Sequence, residues 1–151
     1  IYDIVLMLQG DEPMLEPEMI SEALVPMIED KKINVVNLMG KIEDEKEFND
    51  PNCIKVVCDL NGNAIYFSRE PIPNKGFENP ENLGKQVCVI PFRKKFLVLY
   101  NELNPTPLEI SESIDMLRIL ENGYQVKMVK TRYKSFAVDT PEDLKKVEKL
   151  I

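Results

Sequence analysis

Histidine and tryptophan are absent from the 151 residues, and only six glycines and three cysteines are present. Without histidine, Ser-His and Cys-His nucleophile pairs are excluded and the usual zinc ligand sets are largely unavailable. Chemistry then falls to carboxylates, lysines, hydroxyls and metal ions. Cys53, Cys58 and Cys88 are odd in number and not spaced as a zinc site, so they read as reduced core thiols. The glycines form no phosphate-cradling cluster, and the four arginines, Arg69, Arg93, Arg118 and Arg132, are scattered. A triphosphate finds neither a Gly-rich turn nor a basic patch. No apolar run approaches the roughly 20 residues of a membrane span, and no charged-then-apolar leader opens the chain. A net charge of -7 argues against a nucleic-acid binder, which needs a basic face. The expected location is cytoplasmic.

What is present suits one domain, residues 1–151: 44% of the residues are hydrophobic, and strand and helix patterns alternate as in an α/β protein. An acidic chain still binds an anionic nucleotide if a divalent cation sits between its carboxylates and the phosphates. The stretch Leu6-Met-Leu-Gln-Gly-Asp-Glu-Pro13 fits that need. Ile4 to Leu8 reads as a strand covered on both faces, which stops at Gly10 and delivers Asp11 and Glu12 at the edge where α/β sheets bind ligands. A plain surface turn carrying acids for solubility is the other reading.

Pro17 to Glu29 has helical spacing with acids outward, and Pro26 predicts a kink or an early end. Ile33 to Met39 is the next strand, Lys41 to Glu47 a short solvated helix, and Asp50-Pro51-Asn52 a turn. Two apolar arms, 54–59 and 64–68, flank Asn61-Gly62 and predict a hairpin. Its second arm presents Arg69 where pairing stops. Pro71 to Gly84 reads as a long loop, and Gln86 to Ile90 as a strand interrupted by Pro91. A helix opened by Thr106-Pro107 is expected to run to Asn122-Gly123, with Glu109, Glu112 and Asp115 on one polar face. That face either lines a site or meets water. After a strand from Tyr124 to Lys130, Ser135 to Val138 reads as a short strand and Pro141 opens the last helix, with Thr140 and Asp143 as its capping box. Asp139 is then a second carboxylate at a strand-to-helix edge, either a ligand or itself the cap.

Taken together, these stretches resemble the cytidylyltransferases that activate 3-deoxy-manno-octulosonate (Kdo), the CMP-Kdo synthetases. Five carry the resemblance in order: Gln9-Gly-Asp-Glu-Pro13; Asp50-Pro-Asn52 with Lys55-Val-Val57; Tyr66-Phe-Ser-Arg69 with Pro71-Ile-Pro73; Pro105-Thr-Pro-Leu-Glu109 with Leu117-Arg118; and Val138-Asp-Thr-Pro-Glu-Asp-Leu144. The chain opens at Ile1 inside a strand pattern without an initiator Met, so the resemblance is to the later part of the family's domain, with the phosphate-binding N-terminal part expected to be missing.

The resemblance implies a doubly wound, mostly parallel α/β sheet of the nucleotide-diphospho-sugar transferase type, with the hairpin as an insertion. It implies transfer of CMP from CTP to the anomeric hydroxyl of Kdo or a related acid sugar, with release of pyrophosphate, for lipopolysaccharide or surface-glycan synthesis. Mg²⁺ is the implied cofactor, and a homodimer the implied assembly. The family's two metal-binding aspartates fall on Asp11 and Asp139, and positions near the sugar fall on Gln9, Arg69 and Glu109. Glu112 and Gln86 complete the expected substrate contacts. Gln86 and Ile90 stand where the family has His and Tyr, and Asp115-Met116 where Glu-Gln is usual, so the sugar edge is altered while the metal edge is kept. Two alternatives remain: a cytidylyltransferase for a sialic-type or amino-substituted acid sugar, and a non-catalytic sugar-nucleotide-binding remnant.

Overall fold

The computed structural model describes residues 3–74 and 81–150, and the expected loop from Pro71 to Gly84 lies partly outside them. The chain runs β1 (Ile4–Leu8), α1 (Pro17–Glu29), β2 (Val36–Gly40), α2 (Glu45–Asn49), β3 (Lys55–Cys58), β4 (Ala64–Ser68), β5 (Leu83–Val87), β6 (Val89–Arg93), α3 (Lys94–Glu102), α4 (Pro107–Glu112), α5 (Met116–Glu121), β7 (Lys127–Lys130) and α6 (Pro141–Val147). Strand order is β4-β3-β5-β2-β7 in the larger sheet, with β1 and β6 paired in a second. Among the described residues no helix is long and apolar enough to cross a membrane.

β2 is buried along its whole length, and the alternation of its side chains divides the core. Val36 and Leu38 face α1, where Met19, Ala23 and Met27 recur at four-residue spacing without exposure. Val35 and Met39 face the other way, into a cluster with Phe67, Ile90, Phe96 and Leu117. Asn37 shares that second face. α1 continues through Pro26 to Glu29, and its last carbonyls are met by the Arg93 guanidinium, which donates to Met27 C=O and, at 3.3 Å, to Asp30 C=O.

The α/β class stands, but the described pairings are antiparallel except β2 with β7, against the expected mostly parallel sheet. The reason is local connection. The hairpin arms, β3 and β4, turn through Gly62 at φ 76°, and a tight hairpin pairs only antiparallel. The hairpin is joined to the rest of the sheet by β3, which pairs with β5 through Val56 and Gly84.

Other expectations shift for similar reasons. β1 is half covered rather than buried on both faces, because β6 is its partner on one edge and Val5 and Leu8 stay exposed. Pairing with β1 runs through Pro91, opposite Leu6, and the other edge of β6 meets Val35 in an isolated bridge at Phe92. The expected single helix from Pro107 breaks into α4 and α5 at Ser113, whose φ of 54° is left-handed, and Ile110 is exposed in consequence. The solvated helix starts at Glu45 because Asp44 caps it, accepting from Glu47 N–H at 2.8 Å. Residues 135–138 form no strand.

β5 lies so close to β2 that a Cβ on Gly84 would stand 2.3 Å from Met39 Cγ and 2.6 Å from Gly40 O. Gly84→Ala is expected to cost about 1–3 kcal/mol through forced separation of the strands. Urea unfolding reads this directly: a lower midpoint is expected, and an unchanged one contradicts the packing described.

Candidate active site

Beyond β1 the chain turns at Gln9–Glu12, where Glu12 N–H donates to Gln9 C=O at 3.4 Å. The segment before α6 is tied to that turn by Val138 N–H donating to Asp11 C=O at 2.9 Å. Asp11 and Asp139 thereby line one cavity of about 720 Å³, together with Gln9, Glu12, Arg69 and Gln86. Asp139 is not the helix cap. Thr140 takes that place, its Oγ1 accepting from Asp143 N–H at 3.2 Å while Asp143 Oδ2 accepts from Thr140 N–H at 3.1 Å.

The cavity lining carries more acids than bases, nine carboxylate side chains against four lysines and Arg69. Burial first, then the charges of Asp11, Asp143 and Asp50, push the Asp139 carboxyl above its ordinary value, with Arg69 opposing. Glu12 is 7% exposed, and burial raises it too, against a long 3.5 Å bond from Cys88 N–H. Among the described residues, Asp11 Oδ1 is buried with no hydrogen-bond partner. A buried carboxylate oxygen left unpaired beside other acids is costly unless a cation completes it. No group of three or more acidic, cysteine or histidine side chains among the described residues forms a cage. Asp11 and Asp139 on one cavity are a donor set that an ion such as Mg²⁺ accepts, since it takes one or two carboxylates and fills the rest of its shell with phosphate oxygens and water.

Arg69 is committed to the wall. Its Nε donates to Glu112 C=O at 2.6 Å, Nη1 to Pro51 C=O at 2.9 Å and Nη2 to Ser113 C=O at 3.3 Å. Beneath it Lys55, fully buried, donates from Nζ to Asp50 C=O at 2.8 Å and to Arg69 C=O, and burial lowers its pKa. These bonds weld the 50–53 turn to the end of β4 and to the α4–α5 junction. Lys85, at 13% side-chain exposure, pairs with Glu47 at 2.5 Å and fixes α2 on the opposite rim.

The sequence reading missed Lys55, the burial of Glu12 and Asn37 behind Gln86. Asn37 had a signal, as the one polar residue in the run Val35 to Met39. Of the altered sugar-edge positions, Gln86, Ile90 and Asp115 line the cavity, whereas Met116 is wholly buried and absent from its lining.

Residues 2–128 match the family model described as Cytidylyltransferase. The chain is 41% identical over 162 residues to the 3-deoxy-manno-octulosonate cytidylyltransferase of Geobacter metallireducens, covering 98% of this chain and 63% of that protein. To the protein of the same name from Geotalea uraniireducens it is 42% identical, covering 96% and 62%. Among solved structures, CMP:2-keto-3-deoxy-manno-octonic acid synthetase complexed with CTP superposes with a TM-score of 0.87 at 33% identity, over 98% of this chain and 61% of that one. The inositol-1-phosphate CTP transferase of T. maritima, at 16% identity and a TM-score of 0.60 over 99% and 55% of the two chains, shares the fold. The chain thus spans about three-fifths of the length of the curated relatives it matches.

Glu109 and Glu112, expected as substrate contacts, are not in the cavity lining. Both carboxylates have internal partners instead, Glu109 as part of the capping box of α4. Glu112 Oε1 accepts from Tyr66 Oη at 3.2 Å and Ser68 Oγ at 3.3 Å, and Oε2 from Arg69 N–H at 2.9 Å. Glu109 takes a two-pronged bond from Arg118, at 2.8 and 2.5 Å, and accepts from Thr106 N–H at 3.1 Å. Arg118 holds the Glu109 carboxyl below its ordinary value of 4.5. A lowered carboxyl stabilises the fold above its unfolded pKa and loses that contribution as pH falls through the folded one. Glu109→Gln is expected to cost about 1–3 kcal/mol at pH 7, and the gap to the parent should narrow as the pH is lowered past the ordinary value of 4.5 and through the depressed folded one. A series of denaturant titrations from pH 7 downward checks this, and a gap that does not change with pH contradicts it.

Proposed function

The chain belongs to the cytidylyltransferase family, and from that premise we propose that it transfers CMP from CTP to the anomeric hydroxyl of Kdo or a closely related acid sugar, releasing pyrophosphate. The observation that carries the proposal is the placing of Asp11 and Asp139 on one cavity by the Val138–Asp11 bond. The names of the relatives, Kdo cytidylyltransferases at about three-fifths coverage, supply the substrate pair.

In this reading Asp11 and Asp139 hold the cation. Mg²⁺, when bound, neutralises phosphate charge and lowers the pKa of the attacking hydroxyl. The remaining work belongs to the protein's own residues. Gln9 and Gln86 offer neutral polar contacts to sugar hydroxyls on the cavity wall. Arg69, with three of its N–H groups given to carbonyls, keeps the others for an anionic group of the substrate. Because the guanidinium is already anchored, it meets the ligand without losing side-chain freedom.

A second reading, a sialic-type or amino-substituted acid sugar, is favoured by Gln86 and Ile90 at the wall, and a panel of acid sugars compared by kcat/KM separates the two. The same proposal includes a cytoplasmic homodimer. The hairpin offers the surface for an isologous contact, since Ile65 on the edge strand β4 is 59% exposed and Leu60 at its tip wholly so. A monomer mass by light scattering at high concentration contradicts that part.

In the protein at its natural length, Asp11→Asn and Asp139→Asn are each expected to lower the rate of Mg²⁺-dependent pyrophosphate release from CTP and Kdo by about 10²-fold or more. The circular dichroism spectrum should be unchanged. Near-parental turnover at limiting Mg²⁺ in either variant removes that residue as a ligand.

A further inference from the structure

Asn37 is fully buried, and its carboxamide is surrounded by groups whose hydrogen-bonding sense is fixed. Its Nδ2 donates to the backbone carbonyl oxygens of Val87 at 2.7 Å and of Leu38 at 3.0 Å. A carbonyl cannot donate, so the opposite orientation would set two acceptors 2.7 Å apart, and the Asn37 amide has one permitted sense. Both Nδ2 protons are then spent, and Oδ1 can only accept.

That constraint passes to the next residue. Gln86 stands diagonally across the β2–β5 pairing from Asn37, in the register where Leu38 opposes Val87 and Met39 opposes Gln86. The Gln86 atom 2.7 Å from Asn37 Oδ1 must therefore be the donor, Nε2. Gln86 Oε1 has no partner among the described residues, and Gln86 lines the cavity.

We propose that Asn37 is a positioning residue which locks the Gln86 carboxamide with its oxygen toward the cavity, so that the acid sugar is read there through a hydroxyl that donates a hydrogen bond. The inference rests on the function proposed above for the sugar, though the locking itself does not. A site built to accept a hydrogen bond discriminates strongly against an analogue that cannot give one. Replacing the contacted hydroxyl by fluorine, which keeps weak acceptor character but cannot donate, should then be as harmful as removing it.

The test has two arms. In the ¹⁵N-labelled protein, one Gln86 Hε2 proton is expected to exchange with water about tenfold or more slowly than the other, and Asn37→Ser is expected to abolish the difference. Equal, fast exchange of both protons in the parent overturns the proposal.

In the second arm, kcat/KM is measured for the acid sugar and for its monodeoxy and monofluoro analogues at each hydroxyl other than the anomeric one, which is the nucleophile. One position is expected to lose about tenfold or more with fluorine as with hydrogen. Gln86→Met should lower use of the parent sugar, mainly through KM, and erase that discrimination. This arm stands even if Asn37→Ser fails to fold. Fluoro analogues used as well as the parent sugar, or discrimination surviving in Gln86→Met, overturn the proposal. No turnover of any acid sugar alongside a protected Hε2 proton overturns the functional reading and the sugar-reading half with it, while upholding the locking by Asn37.

Discussion

A backbone hydrogen bond from Val138 N–H to Asp11 C=O, at 2.9 Å, joins the first and last parts of the described residues and brings two carboxylates together against their mutual repulsion. Neither carboxylate is held by its own helix. Asp139 is released from capping by the Thr140–Asp143 box, and Asp11 keeps one oxygen buried and, among the described residues, unpaired. The fold therefore stores an unfavourable arrangement of charge at one place, and a cation is the simplest partner that relieves it.

Around this centre the walls are rigid because polar groups inside them are spent on carbonyls. Lys55 ties Asp50 C=O to Arg69 C=O, Arg69 ties the 50–53 turn to the α4–α5 junction, and Glu112 closes that network from below. Groups that look like substrate contacts by type act here partly as internal braces. Holding side chains in place before a ligand arrives lowers the cost of ordering them on binding.

Much of this was legible in the residues. The carboxylates at 11 and 139, the Asn-Gly hairpin and the last capping box rest on short local patterns, and the structure forms the hairpin and the box where those patterns lie. What escaped was set by long-range pairing. A one-residue excursion of Ser113 into left-handed φ splits a helix whose apolar spacing reads as continuous, and Glu109 and Glu112 are held by Arg118, Tyr66 and Ser68 rather than lining the cavity. The mostly parallel sheet was implied by the resemblance, and the apolar runs themselves do not tell the sense of pairing, which among the described strands is parallel for β2 with β7. Lys55 sits between Ile54 and Val56, and its role as a buried brace is set by carbonyls distant in sequence, above all that of Arg69.

The claim on which the rest depends is that Asp11 and Asp139 jointly hold a divalent cation with the nucleotide. Mn²⁺ suits the same oxygen ligands as Mg²⁺ and reports its own binding through water-proton relaxation. In the protein at its natural length with CTP, Mn²⁺ should give a strong relaxation enhancement that falls to the protein-free level in both Asp11→Asn and Asp139→Asn. Full enhancement in either variant would contradict a shared site at these two carboxylates.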